Sequence, residues 1–129
     1  MLVLLDSTVL IDYLRDRPVT RRVDALASTG DEPCTTGINV EEIMRGLFAP
    51  ELAGAVGLFE GLQVLPVGLA QGWQAGDWRR QHAAKGITLA QADCLVAATA
   101  AAHHAILATG NPRDFPMQGL VVEHWPVGG

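Results

Sequence analysis

Apolar and polar positions divide the chain into alternating short and long segments. Met1-Leu-Val-Leu-Leu5 is an unbroken apolar run that ends at once on Asp6, the pattern of a buried strand with an acid at its C-terminal end. Leu10, Tyr13 and Leu14 then recur at helical spacing, with Ser7 or Thr8 able to cap the helix and Asp12, Arg15, Asp16 and Arg17 on its solvated side. Pro18 breaks this helix and can start another over about 19–28, which ends before Gly30 and carries Arg21-Arg22 as surface charge. Cys34–Ile38 reads as a second short strand. Asn39 and Glu42 have capping-box spacing and open a helix through Phe48; Pro50 begins another, which fades at Gly61. Leu62–Val67 is a third strand, with Pro66 at its end or on a sheet edge. Leu69 to about Lys85 reads as a long helix stopped by Gly86, with Leu69, Trp73 and Arg80 along one side. Thr88 and Gln91 repeat the capping-box spacing, and the helix they open runs to His103 or His104. It is apolar nearly all round and is therefore expected to be buried. Ala105–Thr109 is a fourth strand, 110–114 a turn, and Leu120–His124 a fifth, edge-like strand.

Strands alternating with helices predict a three-layer α/β/α fold around a mostly parallel sheet of about five strands, with right-handed crossovers, in one domain over 1–129. Hydrophobic residues make up 49% of the chain and charged residues 18%, a globular rather than a disordered composition. No apolar run reaches the roughly 18 residues a membrane span needs, and the first run meets Asp6 too soon for a signal peptide; a cytoplasmic protein is expected. Cys34 and Cys94 make no disulfide framework and have no metal-ligand spacing, so they read as reduced, buried thiols. The net charge of −5 argues against holding nucleic acid by a broad basic surface. It leaves a nuclease open, because metal-binding acids add to the negative count and a bound cation reverses their local effect.

The acids carry the chemistry. Asp6 either caps the first helix or belongs to a site, and Glu42 either completes the capping box with Asn39 or belongs to one. Asp93 lies one turn into the most apolar helix, on the side of Leu89, Val96, Ala97 and Ala100, where a lone carboxylate needs a counter-charge or a proton. Asn111 and Asp114 fit ordinary turn chemistry, yet their turn too follows a strand. All these positions fall at strand C-termini or in first helical turns, which converge on one edge of a parallel α/β sheet, where ligands bind. Clustered carboxylates repel unless a cation is present. Oxygen ligands without clustered His or Cys point to Mg²⁺ or Mn²⁺, ions that activate water and stabilise charge in phosphodiester cleavage.

Five stretches carry a resemblance: Leu4–Asp12, Glu42-Ile-Met-Arg-Gly46, Gly86–Asp93 with the alanine-rich helix after it, Leu107–Phe115, and Val121–Trp125. In this order and spacing the chain resembles PIN-domain ribonucleases, most closely the VapC toxins of bacterial toxin–antitoxin pairs. The resemblance implies an α/β/α fold, a Mg²⁺- or Mn²⁺-dependent endoribonuclease with RNA as substrate, a homodimer, and a cognate VapB-like antitoxin that blocks the site. It also implies that the antitoxin covers the apolar surface of the first helices and places a cation near the acids. By position Asp6, Glu42 and Asp93 match the family's acids; Glu42 rather than Glu41 stands four residues before Gly46. The chain departs at the fourth acid. Asn111 replaces a common Asp, so Asp114 is expected to contribute, directly or through water, with Asn111 as a neutral ligand or positioning group. Ser7 and Thr109 match hydroxyl positions beside the acids.

Arg45 lies one helical turn after Glu42 and can face the site; Arg79, Arg80 and Arg113 are the other candidates for RNA contact. His82, His103, His104 and His124 lack metal-ligand spacing, and Trp73, Trp78 and Trp125 read as core or interface. So few aromatics suit recognition of a folded RNA by shape, with a short exposed loop reaching the metal. Three other readings differ in what they need. An aspartate-based phosphatase wants an acid where Thr8 stands. An acidic binding module would use the acids only as helix caps. An RNA-processing nuclease of the same fold would lack the antitoxin.

Overall fold

The computed structural model describes residues 1–129. Strand β1 (Leu2–Leu5) forms the middle of a five-stranded, all-parallel sheet. Strands β2 (Glu32–Thr36) and β3 (Gln63–Leu65) lie to one side, and β4 (Ile106–Thr109) and β5 (Val121–His124) to the other, in the order β3-β2-β1-β4-β5. Leu4 pairs in register with Cys34 on one side and Leu107 on the other. The expected fold class is the observed one.

Seven helices cover the sheet: α1 (Ser7–Leu14), α2 (Thr20–Asp24), α3 (Leu26–Thr29), α4 (Gly37–Gly46), α5 (Leu52–Gly61), α6 (Leu69–Ala83) and α7 (Gln91–Ala102). The pleat of β1 sends alternate side chains to two cores. Leu4 joins Cys34, Leu107, Trp78 of α6 and the alanines of α7. Val3 and Leu5 join Val9 and Leu10 of α1, Val23, Leu26, Ile43 and Trp125. Helix α7 is buried as expected, because its nearly all-apolar surface is enclosed between the sheet and α6. No helix is long and apolar enough to cross a membrane.

Several local expectations are corrected. The segment 19–28 is two short helices, α2 and α3, meeting at Ala25, and Gly30 ends them with φ of 79°. Strand β2 starts two residues before Cys34, because Pro33, which has no N–H to donate, is tolerated near the strand's beginning. It also ends earlier, since Thr36 rather than Asn39 caps α4: its hydroxyl accepts the Asn39 N–H. Thr88 caps nothing. Residues 87–90 are irregular, α7 begins at Gln91, and its cap position is Ala90 without a side-chain bond. Asp12 is not solvated. It is 2% exposed, accepts from Arg17 Nη1 at 2.8 Å and from the backbone N–H of Gly128, and so ties the end of α1 to the chain's last residues. The guanidinium of Arg22, expected as plain surface charge, lies 4.4 Å from the Trp125 ring centre.

Candidate active site

The sheet order reverses at β1. The chain runs outward through β2 and β3, then crosses back to β4 on the opposite side of β1. A crevice outside the carboxyl ends of the strands is expected at such a point. Asp6 follows β1 there, and the turn holding Asn111 and Asp114 follows β4. Glu42 projects from α4, which follows β2, and Asp93 from the first turn of α7.

Asp6 occupies the cap position of α1, but its carboxylate makes no capping bond. It is 7% exposed, and its Oδ2 accepts from Thr109 Oγ1 at 2.8 Å and from Thr8 Oγ1 at 3.2 Å. Burial pushes its pKa above the usual carboxylate value; the Thr109 hydroxyl, the Ser7 N–H and the Thr8 hydroxyl oppose the shift, and the charge of Asp114 adds to it. The two threonines also organise the facing turn. Thr8 Oγ1 accepts from the Gly110 N–H at 2.9 Å, and Thr109 Oγ1 from the Asn111 N–H at 3.0 Å. Thr8, read from the sequence as a helix cap, is thus part of the site's frame.

Glu42 Oε1 accepts from Ser7 Oγ at 2.9 Å, which places the predicted serine beside the predicted glutamate. Asn111 is exposed and donates from Nδ2 to Asp114 Oδ2 at 2.9 Å, so it orients the fourth acid. Asp93 is half-buried and has a pKa pushed up to about 6, first by burial, then by the charges of Asp114, Asp6 and Glu42. The charges of three acids from separate parts of the chain thus all act on Asp93. No three of these acids, with or without a histidine or cysteine, stand close enough to ligate one ion directly. Such spacing suits a hard cation held through one or two carboxylates and several retained waters, as Mg²⁺ is commonly bound. An open recess of about 320 Å³ adjoins Glu42, the one acid of the four in its lining, with Ser7, Thr8, Ile11, Arg15, Ile43 and Gly46 around it.

The four candidate arginines differ. Arg45 is exposed and pairs with Glu41 at 2.9 Å, and Arg80 pairs with Asp77. Arg79 Nε donates to the Leu89 carbonyl at 3.1 Å, bracing the irregular segment before Asp93. Arg113 stands exposed in the same turn as Asp114. Of the histidines, His82 and His103 each hold a carbonyl four residues earlier in their own helix through Nδ1. Trp78 and Trp125 are buried, whereas Trp73 is exposed on α6. Cys34 and Cys94 are free and buried, and burial pushes the Cys34 thiol up to about 12, so it stays protonated.

A family model for the PIN domain matches residues 3–116, and the chain belongs to that family. Its sequence is 32% identical over 119 residues to Ribonuclease VapC19 of Mycobacterium tuberculosis, covering 88% of this chain and 92% of that protein. Among solved structures it is similar to the DNA-bound VapBC from Salmonella typhimurium, with a TM-score of 0.82, 26% identity, and coverage of 97% of this chain and 99% of that one. A toxin–antitoxin complex from Klebsiella pneumoniae shares the fold, with a TM-score of 0.72, 22% identity, and coverage of 92% and 95%.

Proposed function

We propose that the chain is a divalent-metal-dependent endoribonuclease, the toxin of a VapBC-type pair, built as one domain over 1–129. The observation that carries the reading is the shared electrostatics of the site: Asp93 is half-buried and feels the charges of Asp114, Asp6 and Glu42 together. Family membership and a ribonuclease relative over most of the chain support the same reaction class.

In this reading Asp6 and Asp93 hold a Mg²⁺ or Mn²⁺ ion, with Glu42 and Asp114 reaching it through retained waters. The bound ion acidifies water and neutralises charge at a phosphodiester. The chain's own groups fix the arrangement around it. Thr8 and Thr109 hold one oxygen of Asp6, Ser7 holds one oxygen of Glu42, and Asn111 holds one of Asp114. Fixing these carboxylates before substrate arrives reduces the reorganisation required during reaction. Arg113 is the cation best placed to meet RNA phosphate, while Arg45 and Arg79 are already engaged within the chain. The related toxin–antitoxin assemblies support a VapB-like partner, and the exposed apolar side chains Phe48, Leu52, Val56 and Val64 offer surface to it or to a second copy in a homodimer. Free, buried cysteines accord with a cytoplasmic location.

The test is cleavage of structured RNA by purified protein with Mg²⁺, with Mn²⁺ and with chelator, alongside Asp93→Asn verified as folded by its melt. Cleavage should require metal and fall by about a hundredfold or more in the variant. Cleavage unaffected by both chelator and Asp93→Asn would overturn the reading.

A further inference from the structure

Asn39 is fully buried in α4, yet every polar atom of its side chain is used. Thr36 Oγ1 donates to Asn39 Oδ1 at 2.7 Å. Asn39 Nδ2 donates to Ser7 Oγ at 3.0 Å, and Ser7 Oγ donates to Glu42 Oε1 at 2.9 Å. The four residues come from β2, α1 and α4, and their bonds all run in one direction, from Thr36 to the carboxylate. The start of the run is fixed as well, because the Asn39 backbone N–H occupies a lone pair of the Thr36 hydroxyl.

The direction matters because a serine hydroxyl has one proton. The Asn39 amide fills an acceptor position on Ser7 Oγ, which leaves the proton free to point at Glu42. Consecutive bonds of this kind polarise and strengthen one another in a buried setting. A lone serine at an exposed helix start rotates between partners; this one is held from behind. Glu42 Oε1 is thereby fixed, and Oε2 takes no hydrogen bond from the chain.

We propose that Asn39 is a positioning residue for the metal site, acting through Ser7 to orient the carboxylate of Glu42. The proposal rests on the metal-dependent reading given above. A buried amide that merely joined α1 to α4 would contribute to stability alone. One that orients a carboxylate also governs how tightly the site takes its ion, since partners standing behind a ligand typically change affinity 10–100-fold when removed.

The experiment is a Mn²⁺ titration of the melting temperature of the whole chain, from a chelated baseline. It covers the wild type, Asn39→Ala, Ser7→Ala and the double variant, with Asn39→Ser in place of Asn39→Ala if the latter does not fold. Each single variant should raise the Mn²⁺ concentration for half the full shift by about tenfold or more. The double variant should be no worse than the weaker-binding single, because both act on one bond. Two results would overturn the proposal. One is an Asn39 variant whose metal-free melt falls while its half-point stays within about twofold of wild type; the other is a double variant whose loss is the product of the singles. A wild type whose melt ignores Mn²⁺ would remove the metal reading itself and the proposal with it.

Discussion

Asp93 is held where burial and three neighbouring acids oppose its ionisation, and this has a measurable cost in the metal-free protein. A carboxyl raised to about 6 keeps its proton in the folded chain at pH values where the unfolded chain, at about 4, has lost it. The folded state therefore binds more protons across that window, and stability must fall as pH rises through it. Asp6, also raised, acts in the same sense. For a half-exposed group the loss is about 1 kcal/mol after solvent screening. In chelator, urea midpoints should decline from about pH 4 to pH 7, and Asp93→Asn should flatten that decline while leaving the chain folded. Asp93 was legible in the sequence because its own helix is apolar around it. Asp6 and Asp114 were legible from their places after strands. Thr8 and Asn39 were not, since a polar residue near a helix start reads equally well as a cap. Only the approach of β4 to β1 and of α4 to α1 gives these two their partners. Asp12 was misread as solvated for the same reason: its partner Gly128 lies 116 positions away.

At the scale of elements, the turn after β4 is held from two sides. Thr8 and Thr109 bind its backbone from within, and the chain's end lies across it from without, with the Trp125 N–H bonded to the Thr109 carbonyl. Val127 packs so closely that a Cβ on Gly110 would meet its Cγ2 at 2.6 Å. Gly110→Ala should thus destabilise the chain by roughly 1–3 kcal/mol, read from urea unfolding. Adding Val127→Ala should restore most of that loss, because the collision is with that one side chain. Strands and long helices were readable because their hydrophobic periods differ, and Pro66 and the edge position of β3 agree. Helix starts were less so. The Thr88–Gln91 spacing suits a capping box, but Leu89 is buried and its carbonyl is taken by Arg79, which holds 87–90 out of the helix. That bond makes a further expectation. Arg79→Lys keeps the charge yet loses the fixed Nε geometry, and should lower cleavage more than it lowers the melt, with kcat as the readout.

For the whole molecule, a net charge of −5 is concentrated in part at one edge of the sheet, so folding stores a repulsion there that a bound cation would relieve. Mg²⁺ or Mn²⁺ at a hundredfold above Kd should stabilise the folded state by about 2.7 kcal/mol, or roughly 10 °C in Tm, and chelator should reverse it. The fold class was readable at this scale because strand and helix patterns alternate; the order of strands was not, since parallel pairing leaves no local mark in a sequence. That order also governs how the chain is made. The strand that becomes the middle of the sheet is made before the other four, and Asp6 meets its Thr109 partner 103 residues later. At ordinary synthesis speeds this is on the order of 5–20 s during which the acid is exposed but unassembled. During synthesis Asp6 therefore stays unpartnered until the fourth strand has followed the first: the candidate edge draws on residues far apart in the chain and cannot assemble before all of them have emerged.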